Sequence, residues 1–237
     1  MPEKPLVRIP TKNYILNVLP DQDYARLLPD TEQVELASGA VIYRADQPIT
    51  HVYFPHTAMI SIVTNTSDGQ SIEAGIIGWE GMAGVEVLMQ VDSTSNDSMV
   101  QIPNGAIRIN TKAIREEFDR GGALQTITLR YIHALMLQIS QTALCNRLHS
   151  LEQRLSRWLL MCRDRTGTDE IRLTQEFLSI MLGVNRPSVT LAAITMQSGG
   201  YIKYSRGKIK ILDVKGLEKF ACECYRAVKK TWPPASN

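Results

Sequence analysis

The sequence contains no apolar run that approaches the roughly 18 residues needed by a membrane-spanning helix. Its first ten residues, MPEKPLVRIP, lack the apolar core of a secretory signal peptide. It has no internal repeats, and its four cysteines, Cys145, Cys162, Cys222 and Cys224, show no paired framework. We therefore expect a globular protein of the cytoplasm with free thiols and no membrane partner.

Lysine and arginine are missing from residues 45–107, which carry seven acidic residues. Residues 171–237 show the opposite balance, with eleven Lys and Arg against four Asp and Glu. The formal net charge of +2 hides this separation. Because a basic surface attracts phosphate and an acidic one repels it, we expect only the C-terminal part to contact nucleic acid.

Residues 173–212 predict two short helices joined by a glycine turn and followed by a basic hairpin. Thr174 and Asn185 are suited to cap the two helices, and Gly183 is suited to end the first. The predicted buried stripe of the first helix is Phe177, Ile180 and Met181, and that of the second is Val189, Ala192, Ala193 and Met196. This order is typical of a winged helix-turn-helix, whose second helix enters a DNA major groove.

The hairpin pattern lies in residues 201–212 and alternates between apolar and basic positions. One face is predicted to carry Ile202, Tyr204, Ile209 and Ile211, and the other Lys203, Lys208 and Lys210, with a turn at Ser205-Arg206-Gly207. A helical hairpin beside a solvated β-hairpin would give the same pattern. The basic charge of this segment favours the DNA-binding interpretation.

The N-terminal half is predicted to consist of short strands. Glycines are frequent between Gly39 and Gly105, and Asp68-Gly69 is a hairpin signal. Residues 122–148 predict a long helix that is apolar nearly all round, which indicates burial on two sides. We expect one side to form a dimer interface through Ile127, Tyr131, Ala134, Leu135 and Gln138. Further helices are predicted near residues 149–164 and from Leu217 to Val228.

The fold class that follows is α+β, with an N-terminal antiparallel β-roll, a long connecting dimerisation helix and a C-terminal winged helix-turn-helix. The predicted domains are residues 1–120, a β-roll with a helical lead-in, residues 121–148, the dimerisation helix, and residues 149–237, the DNA-binding domain.

This order of parts resembles the Crp/Fnr superfamily of bacterial transcription regulators. The segment LTQEFLSIMLGVNRPSVT resembles its helix-turn-helix, YIKYSRGKIKIL its wing, and VELASGAVIYRADQPITHVYF its cyclic-nucleotide-binding-like roll. The resemblance implies a homodimer that binds double-stranded DNA at half-sites about 34 Å apart, with RNA polymerase as a further partner. We expect no enzymatic activity and no cofactor.

The resemblance also implies which residues face DNA. Arg186 is expected to read a base through its bidentate guanidinium, and Leu191 to touch a thymine methyl group. Many members of the superfamily carry an acidic residue where this chain has Pro187 and an arginine where it has Leu191. The full predicted DNA-binding set is Thr174, Gln175, Asn185, Arg186, Ser188, Thr190, Leu191, Lys203, Arg206 and Lys208.

The nucleotide-binding turn of the superfamily corresponds here to Gly78–Gly84, and the arginine that should follow it is replaced by the run VDSTSNDS. A buried phosphate without a cation would carry a large desolvation cost. We therefore expect no cyclic-nucleotide response. An uncharged or cationic effector of unknown identity remains an alternative, with Trp79, Glu80, Gly81, Met82 and Ser95 as candidate ligand-binding residues.

Other chemistries are weakly supported. Cys145 and His149 lie at i, i+4 and could bind a metal, whereas Cys222 and Cys224 would point apart on a helix, so we expect buried cysteines and no metal site.

Haem ligation by His51, His56 or His133 is a further alternative, but no sequence feature distinguishes these histidines as haem ligands. A cupin-like enzyme would need a histidine and carboxylate cluster, and His51 and His56 fall on opposite faces of a strand. A partner-binding β-roll is the remaining alternative.

Overall fold

The computed structural model describes residues 7–233. The α-helices are α1 (Tyr14–Val18), α2 (Asp21–Leu27), α3 (Thr111–Asp119), α4 (Ala123–Leu148), α5 (Leu151–Thr166), α6 (Gln175–Leu182), α7 (Arg186–Ser198), α8 (Val214–Phe220) and α9 (Cys224–Lys229). The strands are β1 (Thr31–Leu36), β2 (Val41–Tyr43), β3 (His51–Pro55), β4 (Met59–Asn65), β5 (Ser71–Ile77), β6 (Asp97–Ile102), β7 (Asn104–Asn110), β8 (Glu170–Arg172), β9 (Ile202–Ser205) and β10 (Lys208–Ile211).

Contacts divide the described residues into two compact units. The residues up to Ile60 form one unit together with Ile77–His133, and Ser61–Ile76 form the other together with Ala134–Trp232. The long helix α4 begins in the first unit and ends in the second. The predicted domain limits at residues 120 and 148 stay predictions.

Antiparallel sheets form the N-terminal half, as the strand pattern predicts. One sheet has the order β1-β7-β3, and a second has the order β2-β6-β4-β5. Strand β3 pairs with β7 so that Val52 lies opposite Ile109 and Phe54 opposite Ile107, and all four side chains are buried. Because side chains alternate along a strand, this register places one apolar face of both strands in the core.

Helix α5 supports the C-terminal helices of the second unit. It begins with a capping box, in which the Ser150 side chain accepts from the Gln153 backbone and the Gln153 side chain from the Ser150 backbone. Its buried side chains include Leu155, Leu159 and Cys162, and it contacts α6, α7, α8 and α9. The predicted position of this helix beneath the helix-turn-helix is therefore confirmed.

The buried stripe of α6 differs from the predicted one. Ile180 is exposed and Phe177 is half-buried, whereas Leu178, Met181 and Leu182 are buried. Both sets follow i, i+3, i+4 spacing, so the sequence pattern alone could not choose between them. The predicted inward face of α7, Val189, Ala192, Ala193 and Met196, is buried as expected.

The C-terminal segment is two helices where one was predicted. The backbone of Ala221 is extended (φ −64°, ψ 154°) and ends α8, and α9 starts at Cys224. A third strand, β8, also escaped prediction and pairs with β10 opposite Ile209 through Ile171.

None of the described helices is by itself long and apolar enough to cross a membrane. The pair α6 and α7 passes the same test of length and composition when taken together, across a bend of 102°.

Candidate nucleic-acid interface

Helices α6 and α7 are set by two side-chain caps and one glycine. The Thr174 hydroxyl oxygen accepts from the backbone N–H of Phe177 at 3.1 Å. Gly183 then takes the left-handed conformation (φ +61°) that ends α6. The Asn185 side chain accepts from both the backbone N–H and the hydroxyl of Ser188, at 2.9 and 2.7 Å. These contacts fix the turn from which α7 projects.

A groove of about 430 Å³ lies between the start of α7 and the β9–β10 hairpin. The guanidinium Nε of Arg186 donates to the side-chain oxygen of Gln175 at 3.4 Å, which orients the arginine across this groove. The lining residues are Thr174, Gln175, Arg186, Tyr204, Ser205, Arg206 and Gly207. Four predicted site residues, from three separate segments of sequence, thus line one surface.

The turn of the β9–β10 hairpin carries an unusual arginine. Ser205 pairs with Lys208, so Arg206 and Gly207 form a two-residue loop, and both have positive φ (51° and 74°). Two-residue loops with positive φ at both positions match the twist of a hairpin, but a non-glycine residue rarely adopts this conformation. The turn holds the Arg206 cation at the rim of the groove.

Predicted site residues on α7 differ in accessibility. Leu191 is 65% exposed, which is unusual for leucine, whereas the half-buried Thr190 donates its hydroxyl to the Arg186 carbonyl at 3.1 Å. The sequence reading missed Ile194, which is 50% exposed and lies one turn after Leu191. The apolar residue at i+3 from Leu191, which shares its helix face, was the available signal in the sequence.

The predicted basic residues of the hairpin are exposed. Lys203 and Lys208 point away from the buried face that Ile202, Ile209 and Ile211 form, as the alternation predicts. Lys208 also lies 3.4 Å from a carboxylate oxygen of Glu170 on β8, so its charge is partly neutralised.

The candidate ligand residues of the β-roll are mostly enclosed. Gly81 and Met82 are buried, and the ring of Tyr131 lies so close that a Cβ on Gly81 would meet it at 2.0 Å. The Tyr131 hydroxyl donates to the Met82 carbonyl at 3.1 Å. Glu80 is buried and Trp79 half-buried, whereas Ser95 is exposed.

Arg115, which lies outside the segment 45–107 that lacks Lys and Arg, contacts the acidic part of the β-roll. Arg115 on α3 donates to the Val87 carbonyl at 2.9 Å and forms an ion pair with Asp92. The absence of Lys and Arg from residues 45–107 therefore does not leave this region without a cation. The guanidinium is nevertheless engaged by a carbonyl and a carboxylate.

Helix α4 places the predicted dimer residues at different depths. Tyr131, Leu135 and Gln138 are buried within the single chain, whereas Ile127 and Ala134 are half-buried. The Gln138 side chain accepts from the Ile76 N–H and donates to the Ile76 carbonyl, at 2.9 and 3.0 Å. The exposed large apolar residues of α4 are Leu129, Met136, Leu144 and Leu148.

Cysteines that were expected to be separate come together. The break between α8 and α9 brings Cys222 and Cys224 beside Cys145 and His149, with all four candidate ligand atoms within 4.8 Å of one another. The expectation that Cys222 and Cys224 point apart was wrong, because it assumed one continuous helix.

Comparison with known proteins identifies the C-terminal domain. Residues 153–220 match the family model of the Crp-like helix-turn-helix domain. A search of curated protein sequences finds no match.

Solved structures extend the likeness to most of the chain. A proposed Crp/Fnr-family transcriptional regulator from Eubacterium rectale has a TM-score of 0.69 at 19% identity, covering 87% of this chain and 97% of the other. A Crp-family regulator from Thermus thermophilus has 0.67 at 16%, covering 79% and 96%. The c-di-GMP-responsive global regulator CLP of Xanthomonas campestris has 0.67 at 13%, covering 81% and 99%.

These findings confirm the predicted resemblance. The chain has the fold of Crp/Fnr-type transcription regulators, with N-terminal antiparallel sheets, a long helix and a Crp-like helix-turn-helix.

Proposed function

We propose that this protein is a sequence-specific transcription regulator that acts in the cytoplasm and binds double-stranded DNA through α6, α7 and the β9–β10 hairpin. The observation that carries the proposal is the groove in which Gln175, Arg186 and Arg206 meet. An exposed second helix, a basic hairpin and a cationic groove are the parts by which a winged helix-turn-helix contacts the major groove and the adjoining backbone.

Arg186 is the base-reading residue in this proposal, because its side chain is exposed at the start of α7. A guanidinium can pair bidentately with guanine. Leu191 and Ile194 extend the contact toward thymine methyl groups, since both are exposed on the same helix. Arg206 and Lys203 serve the phosphate backbone, and Thr174, with a hydroxyl hydrogen still available, can donate to a phosphate.

A homodimer formed through α4 completes the proposal. Three of the predicted dimer residues are buried within the chain, so we place the interface on the exposed stripe that Leu129, Met136 and Leu144 mark. His133, Ser140 and Arg147 are also exposed, and the six residues from Leu129 to Arg147 follow one another at steps of four, three, four, four and three residues. This spacing is typical of a helix that packs against a parallel copy of itself.

The β-roll is proposed not to respond to cyclic nucleotides. Tyr131 packs onto the backbone at Gly81 and Met82, in the turn that corresponds to the nucleotide-binding turn. Arg115 is engaged by Asp92 and the Val87 carbonyl. A buried cyclic phosphate would therefore lack a cation and remain costly to desolvate. RNA polymerase is the further partner that this type of regulator implies.

Fluorescence anisotropy with labelled DNA from upstream of the gene tests the proposal. Arg186→Ala should weaken specific binding by about 1–3 kcal/mol, roughly 5- to 150-fold, and relax selectivity at one base position. Lys112→Ala is the control, because this α3 side chain is 85% exposed and its loss removes the same charge elsewhere. Equal affinity of wild type and Arg186→Ala for specific DNA would refute the role of Arg186. Absence of salt-dependent DNA binding by the wild type would refute the function.

A further inference from the structure

Four side chains of metal-binding type converge in the second unit. Cys145 lies near the C-terminal end of α4, His149 in the connection to α5, Cys222 between α8 and α9, and Cys224 at the start of α9. The three cysteines are buried and form a small cluster of their own. The fourth cysteine, Cys162, is buried in α5 outside this group.

The distances within the cluster fit one tetrahedral metal ion. The sulfur atoms of Cys145 and Cys222 are 3.4 Å apart, and the Cys224 sulfur is 3.6 Å from Nδ1 of His149. Zinc bound at its usual lengths to sulfur and nitrogen places two tetrahedral sulfur ligands about 3.8 Å apart, and a sulfur and a nitrogen about 3.6 Å apart. These two distances lie within a few tenths of an ångström of the tetrahedral values, and the four ligand atoms all lie within 4.8 Å of one another.

The histidine ring is oriented as a metal ligand would be. Its Nδ1 faces the cysteine sulfur, and its Nε2 lies 3.3 Å from a carboxylate oxygen of Glu223. A carboxylate that accepts from the outer nitrogen fixes the tautomer in which the inner nitrogen keeps its lone pair for the metal.

Positive charge stands beside the cluster. The Arg157 guanidinium on α5 acts electrostatically on the sulfur atoms of Cys145 and Cys224. Three thiolates with one divalent cation carry a net charge of −1. The Arg157 side chain, itself buried, is placed to balance it.

We propose that Cys145, His149, Cys222 and Cys224 bind one Zn²⁺ ion. Three sulfur ligands and one imidazole nitrogen in tetrahedral arrangement are typical of zinc. On binding, each thiol releases its proton to solvent as its sulfur–zinc bond forms, and nothing is oxidised or reduced.

The site is structural, because all four positions are filled by protein and none is open to a substrate. It ties the end of α4 to the segment that follows α8. The ion would therefore connect α8 and α9, which pack on α5, to the end of α4.

Metal analysis of the full-length chain, reduced, incubated with zinc sulfate and desalted, tests the site. We expect stoichiometric zinc in the wild type and in Cys162→Ala, and its loss in Cys222→Ser and Cys224→Ser. Glu223→Gln should bind zinc roughly tenfold more weakly, because the ring loses its orienting partner. With Co²⁺ in place of zinc, wild type should show thiolate charge-transfer bands and the intense visible bands of a tetrahedral site.

Three results would overturn the proposal. The first is a folded, reduced wild type that retains no zinc and gives no tetrahedral cobalt spectrum. The second is an equal loss of zinc in Cys162→Ala, which would indicate non-specific binding to thiols. The third combines two observations. Protein purified without reductant has a mass that is lower by two hydrogens, and the same protein fails to bind zinc after reduction. This result would assign Cys145 and Cys222 to a disulfide.

Discussion

Replacing the buried Glu73 by glutamine should remove a large pH dependence of stability. Glu73 accepts from the Ser61 hydroxyl at 2.7 Å and from the Trp158 indole N–H at 2.9 Å. Burial raises its pKa from 4.5 to about 7, although both hydrogen bonds and the nearby Arg157 and Arg165 oppose the rise. The buried Cys162 also interacts with Glu73, and burial raises the pKa of its thiol.

The direction and size of this pH dependence follow from the linkage between proton binding and folding. A carboxyl group whose pKa is raised on folding binds its proton more tightly in the folded state, so its ionisation opposes folding. Between pH 4.5 and about 7 the wild type should lose about 3 kcal/mol of stability through Glu73, since one pKa unit corresponds to about 1.4 kcal/mol. Below pH 4.5 the penalty is absent, and above pH 7 it is complete.

Glutamine has the shape of the protonated Glu73 side chain but carries one additional N–H donor. Its side-chain oxygen can accept from Trp158, and its amide can donate one hydrogen to the Ser61 oxygen. The second amide hydrogen has no acceptor among these contacts, which should lower the stability of the folded state by about 1–2 kcal/mol. We expect Glu73→Gln to be about 1–2 kcal/mol more stable than wild type at pH 8. At pH 5 it should be less stable than wild type.

Urea unfolding of the two proteins between pH 4.5 and 8, followed by tryptophan fluorescence, measures the difference. Glu35→Gln is the control, because it removes one carboxylate from an exposed position on β1. The control should keep the pH dependence of the wild type. Parallel pH profiles for wild type and Glu73→Gln would refute the reasoning, because they would place the pH dependence in other groups.

Two further substitutions test the turns of the proposed DNA-binding domain. Arg206→Asn gives the Asn-Gly pair that positive-φ hairpin loops prefer, so stability to urea should hold or rise by about 0.5 kcal/mol while the salt slope of DNA binding falls by about one. An unchanged slope would exclude a phosphate contact by Arg206. Gly183→Ala should cost about 1–2 kcal/mol in urea unfolding, because φ is +61° and the new methyl group would meet Ile72 at 2.7 Å. Gly122→Ala, where φ is not positive and the nearest atom is 3.5 Å away, should be tolerated, and equal costs for the two changes would contradict this account.

Features that the sequence predicts well are local ones. Caps such as Thr174 and Asn185, the break at Gly183 and the alternation of the β9–β10 hairpin each depend on residues a few positions apart. Their physical cause lies within one turn of helix or one strand pair, so single-sequence patterns contain the necessary information.

Features that depend on distant residues were predicted poorly. Cys145 and Cys222 lie 77 positions apart in the sequence, and they meet through the break at Ala221 and the packing of α8 and α9 on α5. The buried stripe of α6 differs from the prediction because two sets of apolar residues satisfy the same spacing. Where α6 packs against α7 and α5, Leu178 is buried and Phe177 is only half-buried. Periodicity identifies that a helix is amphipathic, whereas neighbours decide which face is buried.

Helix α5 connects the two buried polar features of the second unit. Trp158 donates to Glu73, and Arg157, its neighbour in sequence, acts on the cysteine cluster and donates to the Thr142 hydroxyl of α4 at 2.9 Å. The same helix packs against α7. A packed helix moves as a rigid body. A change in charge at Glu73, or in metal ligation at the cysteine cluster, should therefore shift α5 and with it the position of α7, without altering the residues proposed to contact DNA. Variants at Glu73 and at Cys222 should therefore change DNA affinity without changing which base sequence is preferred, whereas variants at Arg186 should change both.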